Sequence, residues 1–165
     1  MTLAEAAAQA DALAQSGDER ALATLRARWD DEIEAEARNA DYRVRAQAYR
    51  AIAQFRFRQK LELLRRGLED ESPAARGAAL IALESLSRER PGDVNSFRPL
   101  LHELAARDPN VAVRRLAVVC LRNGSPRPDT LQLLEGIAES DDEDAELRKS
   151  ARAVQAALKK KAVGR

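Results

Sequence analysis

The chain has 165 residues, of which 45% are hydrophobic, 33% charged and only 4% aromatic, so alanine and leucine must build most of any core. Lys and Arg number 28 against 27 Asp and Glu, and the resulting net charge of +1 gives no global electrostatic case for nucleic acid or an anionic membrane. The single cysteine, Cys120, excludes an internal disulfide framework and fits a reducing, cytoplasmic setting, and no apolar run approaches the roughly 20 residues of a membrane-spanning helix.

Residues 2–16 read as an alanine-rich helix stopped by Ser16-Gly17. They lack the basic start and apolar stretch of a signal peptide. Asp18 caps a long helix to about Arg38, and a further helix begins after Asp41. No proline or glycine interrupts residues 42–66, yet the spacing of the later helices demands a break, which we place near residues 56–59. Helices follow at about 60–68, 73–88, 97–106, 111–123, 129–139 and 145–160. The loops between them carry Pro91-Gly92 and the breaker-rich segment 124–128. Residues 162–165 are expected to fray.

One seven-residue phrase organises this series. It reads Asn-Ala-Asp-Tyr-Arg-Val-Arg at 39–45, Asp-Glu-Ser-Pro-Ala-Ala-Arg at 70–76, Asp-Pro-Asn-Val-Ala-Val-Arg at 108–114 and Asp-Glu-Asp-Ala-Glu-Leu-Arg at 142–148. Its closing arginines, Arg45, Arg76, Arg114 and Arg148, recur at 31, 38 and 34 residues, the period of stacked helical pairs. Four residues before each arginine stands a helix-capping side chain: Asp41, Ser72, Asn110 or Asp144. Three residues after it stands alanine: Ala48, Ala79, Ala117 or Ala151. With the positions at −1, +6, +7 and +10, these alanines trace one apolar helix face. Each later repeat is preceded by a second apolar segment, so the unit is helix, short polar turn, capped helix.

This pattern resembles the HEAT-repeat family, and in particular bacterial repeats whose second helix carries a valine-arginine-x-x-alanine phrase. The resemblance covers about residues 19–160. It implies an all-α, right-handed α-solenoid of about four helical pairs plus an N-terminal helix. The expected organisation is a single domain over 1–165, with the helix at 2–16 and repeats at about 18–56, 59–88, 94–123 and 128–160. It also implies a ladder between adjacent repeats, made by Asp70, Asp108 and Asp142 with Arg45, Arg76, Arg114 and Arg148. Asn39 weakens the first rung. The family is defined by its scaffold, so the implied function is non-catalytic protein binding on the surface lined by the second helices.

On those helices the positions at +4 and +5 are unusually apolar. The candidate partner-binding residues are Tyr49, Leu80, Ile81, Val118 and Val119, with Arg115 and Arg122 as a polar rim. Two readings stay open: neighbouring helices bury this arc, or it forms a groove for another protein or a second copy of the chain. A basic run between 43 and 66 offers an alternative, nucleic-acid binding through Arg43, Arg50, Arg56, Arg58 and Lys60, with Phe55 and Phe57 interleaved. Its counter-reading is neutralisation by the acidic run at 30–36.

Catalytic signals are missing. His102 is the only histidine, no His/Cys/carboxylate cluster has zinc-ligand spacing, and the glycines form no phosphate loop. The acidic segment 139–146 lacks the glycine turn of a calcium loop. The expectation is therefore no cofactor, no metal and no enzyme. The lyase and DNA-glycosylase branches of HEAT-like proteins are remote alternatives, for which Trp29, Tyr42 and Tyr49 are the available aromatics.

Overall fold

The computed structural model describes residues 1–164. Among these the secondary structure is entirely helical: α1 (Leu3–Ser16), α2 (Glu19–Glu36), α3 (Tyr42–Gln54), α4 (Leu61–Leu68), α5 (Pro73–Ser87), α6 (Pro91–Arg107), α7 (Val111–Leu121), α8 (Pro128–Glu139) and α9 (Ala145–Val163), with one 3-10 turn at Arg58–Lys60. The residues form two compact units, one from Met1 to Leu86 and one from Ser87 onward. In the first, α1 packs on α2 and α3, and α3 packs on α4. In the second, α6 packs on α7, α8 on α9, and the two second helices α7 and α9 pack on each other.

The repeat phrase is a local folding device. The side chain of its first residue accepts a hydrogen bond from the amide two residues on: Asn39 from Asp41 at 2.8 Å, Asp70 from Ser72 at 2.9 Å, Asp108 from Asn110 at 2.9 Å. This closes the turn by letting a side chain stand in for a backbone acceptor. The third residue then caps the helix, as Asp41 does for Arg43, Ser72 for Ala75, Asn110 for Val113 and Asp144 for Glu146 and Leu147. The arginine reaches back to carbonyls of the turn or of the helix end before it. Arg45 donates to those of Asn39 and Ala40, Arg76 to that of Asp70, and Arg114 to that of Ala105. These are carbonyls that a tight turn would otherwise leave unpaired.

The apolar offsets form the core. The alanines at +3 are fully buried, as are Ile52, Leu83 and Leu121 at +7 and Phe55 and Leu158 at +10. Alanine at +3 lets helices approach closely, and Gly67 on α4 does the same opposite them. A Cβ built on Gly67 would lie 2.7 Å from the Ala79 Cβ and 3.0 Å from the Tyr49 ring. Backbone against ring and methyl leaves no room for another carbon.

Three expectations need correction. Pro91-Gly92 is the first turn of α6, not a loop. Proline suits that position, and the turn is held by the loop before α8. Asn95 donates to the Ser125 hydroxyl and accepts from the Ser125 amide, while Val94 lies against Gly124, where a Cβ would come within 2.8 Å of it. The last helix continues to Val163 rather than fraying from residue 162; Arg165 lies outside the described residues. The Arg114 rung is made with Glu143 at 2.5 Å, not Asp142, which is exposed.

The break between α3 and α4, which no glycine or proline announces, is a left-handed helix stop at Arg56 (φ 52°), the one non-glycine residue with positive φ among those described. Phe57 N–H donates to the Ile52 carbonyl and Arg56 N–H to that of Ala53. Gly17 ends α1 with the same pair of reversed bonds, to Leu13 and Ala14. An L-residue in this conformation costs about 1 kcal/mol. Offsetting interactions surround it: Arg56 donates to Asp11 at 2.8 Å and to the carbonyls of Ala53 and Gln54, and Arg26 donates to those of Phe55 and Arg56.

Candidate protein-binding face

Numbered from the repeat arginine, the positions at +5 carry the accessible side chains of the second helices. Arg50, Ile81 and Ala153 are exposed and Val119 is half-buried. Ile81, at 51% exposure, is one of very few large apolar side chains on the surface. On α7, the positions at +1 and +8 flank Val119 with Arg115 and Arg122, both exposed.

Three of the four positions at +4 do not belong to that face, the exception being exposed Arg152. Tyr49, Leu80 and Val118 are buried, at 3%, 0% and 0% exposure, and are removed from the candidate docking residues. The apolar arc of these helices exceeds half a turn, which a helix adopts when it is covered from two sides. For Tyr49 the covering element is visible: its ring lies over Gly67. Its hydroxyl is 3.5 Å from the Ala37 carbonyl and from an Asp70 oxygen, and burial pushes its pKa up.

Much of the basic run is engaged inside the first unit. Lys60, 6% exposed, donates to Asp30 and to Glu34 and lies 4.7 Å from the centre of the Phe57 ring. Burial alone would lower the Lys60 pKa; the hydrogen bonds to Asp30 and Glu34 outweigh it and raise it. Arg56 is bound to Asp11, Arg58 donates to the Leu86 carbonyl, and Arg43 pairs with Asp41 at 3.2 Å. Phe55 and Phe57 are buried, which withdraws the aromatic surface that stacking on bases requires. Of the five residues considered for nucleic acid, Arg50 alone is exposed with no side-chain partner among the described residues. For Lys60 the counter-reading holds, since Asp30 and Glu34 belong to the acidic run at 30–36, whereas Asp11, the partner of Arg56, lies outside it and was not anticipated.

Arg45 binds Asp70 through two parallel bonds of 2.8 Å, with side-chain exposures of 11% and 6%. Burial of Asp70 would raise its pKa, but the bonds from Arg45 and from the Ser72 amide, with the charge of Arg45, hold it below the ordinary carboxylate value. A cleft of ≈ 560 Å³ opens over this pair. Its walls balance Arg38 and Arg66 against Glu69 and Glu71, so it favours neither sign of ligand.

Neither Trp29, at 5% exposure, nor Tyr49 is available to an aromatic cage for a base. His102 is half-buried with its Nε2 2.8 Å from the Thr130 hydroxyl, and burial lowers its pKa. Among the described residues no three His, Cys, Asp or Glu side chains gather as metal ligands, and no helix is long and apolar enough to cross a membrane.

No curated protein matches the chain. A family model described as HEAT repeats matches residues 33–96, a stretch that contains α3, α4 and α5 with two copies of the repeat phrase. The same capped turn and back-reaching arginine recur at 108–114, beyond the matched stretch. The match supports HEAT repeats over residues 33–96, and the all-helical secondary structure of the described residues is consistent with an α-solenoid.

Proposed function

We propose that this protein is a non-catalytic, cytoplasmic interaction module that binds another protein on the exposed face of its second helices. HEAT repeats are in general protein-interaction scaffolds and typically non-catalytic. The observation that carries the reading is a contrast in how the cations are used. Arg45, Arg56, Lys60 and Arg114 are tied to acids of their own unit, whereas Arg50, Arg115 and Arg122 are exposed and have no side-chain partner among the described residues. At the same +5 position as Arg50, the first unit carries exposed Ile81, and in the second unit Val119 lies between Arg115 and Arg122 on α7; these are small apolar spots of the kind a partner desolvates.

The experiment is an affinity capture with wild type and with the Ile81→Asp/Val119→Asp variant, after circular dichroism has shown that the variant keeps its helicity. A partner held by wild type and lost from the variant is the expected result. Equal capture of that partner by both proteins would remove this face from the function.

A further inference from the structure

Within the second unit exposed cations share one face, with no acidic side-chain partner among the described residues. Helices α7 and α9 pack side by side, so their equivalent positions lie on one face. That face carries Arg115 and Arg122 from α7 and Lys149 and Lys160 from α9, all exposed, around Val119 and Ala153 at the two +5 positions. None of the four cations has a side-chain partner among the described residues. Helix α7 contains no acid, and the single acid of α9, Glu146, stands in its first turn. Lys161 donates to the Arg122 carbonyl at 2.5 Å and to that of Gly124, which fixes the end of α9 against the end of α7.

We propose, building on the reading above, that this α7–α9 face docks an acidic polypeptide segment, with carboxylates on the cations and small aliphatic side chains over Val119 and Ala153. Four like charges on one face repel each other in the free protein, and a ligand of opposite sign relieves that repulsion. The centre of the face favours polypeptide over nucleic acid. It is alanine and valine, with no aromatic ring on which a base would stack.

The test is a fluorescence-anisotropy titration of a labelled helical peptide bearing glutamates on one face with alanine and leucine between them. A thymidine oligonucleotide of equal charge is the comparison. Three proteins are used: wild type, Arg115→Glu/Arg122→Glu, and Arg20→Glu/Arg28→Glu, which makes the same change in net charge on the exposed side of α2 in the other unit. All are checked for unchanged helicity and melting temperature. The peptide should bind wild type and the Arg20/Arg28 variant alike and lose about tenfold or more in affinity with the Arg115/Arg122 variant.

No binding to wild type at low ionic strength would overturn the proposal. So would equal losses in both variants, which would mark unspecific charge attraction, or tighter binding of the oligonucleotide through Arg115 and Arg122. If the peptide fails while Ile81→Asp still abolishes capture of a protein partner, the acidic-ligand inference falls and the interaction module stands. If both fail, both fall.

Discussion

The side chain on which the first unit most depends for its charge balance is Asp70. It accepts both bonds of Arg45, closes its own turn through the Ser72 amide and ends as a nearly buried carboxylate. Removing one partner of such a pair strands the other, so Arg45→Ala should lose about 3 kcal/mol in urea denaturation. Exposed Arg50→Ala should stay within about 0.5 kcal/mol. Equal losses would show that the pair carries no such weight. The depressed pKa of Asp70 also fixes a sign. A carboxylate whose pKa is lower folded than unfolded stabilises the protein above its unfolded value, near pH 3.9, and loses that contribution as pH falls through the folded one. Wild type should therefore lose stability on acidification below the unfolded carboxylate value more steeply than Asp70→Asn. Parallel curves would contradict the assignment.

At the scale of the element, most of the helices were legible in the sequence because each repeat restates the same short instruction. Capping residues Asp41, Ser72, Asn110 and Asp144 start helices as the spacing predicts, and the alanines at +3 are buried as expected. What escaped was the work of contacts distant in sequence. Nothing near Pro91 reveals that Gly124 and Ser125 will hold its turn helical. Nothing near Arg56 reveals that Asp11 and Arg26 will support a left-handed arginine where glycine is usual. The position of a side chain on its own helix was likewise insufficient at +4, because the burial of Tyr49 depends on the absence of a side chain at Gly67.

Two variants test these contacts. Gly67→Ala should destabilise by about 1–3 kcal/mol through overpacking, with partial recovery in Gly67→Ala/Ala79→Gly, since the Ala79 methyl is the nearest obstacle. An unchanged melting temperature would mean that the helices move apart freely. At the helix stop, both Arg56→Ala and Arg56→Gly lose the bond to Asp11, but glycine is free of the left-handed cost. The glycine variant should be the more stable of the two by about 1 kcal/mol. The reverse order in thermal melts would deny the strain.

For the whole molecule, a net charge of +1 conceals how unevenly charge is used. In the first unit the basic run folds onto Asp11, Asp30, Glu34 and Asp70 and becomes part of the scaffold. In the second, the cations of the α7–α9 face have no side-chain partner among the described residues. The sequence displayed the first group more conspicuously, since its residues are contiguous. The second group is scattered over two helices and becomes a face only when α7 and α9 pack together.

The most direct test of a docking face on the second helices is methyl NMR on isoleucine- and valine-labelled protein, titrated with the acidic peptide. Val119 reports on the α7–α9 face, while Ile137 and Val94, buried at 6% and 1% exposure, report on the first helices α8 and α6 of the same unit. The account predicts a concentration-dependent shift at Val119 with Ile137 and Val94 unmoved. Shifts at Ile137 and Val94 with Val119 silent would place the ligand on the opposite layer of helices and contradict it.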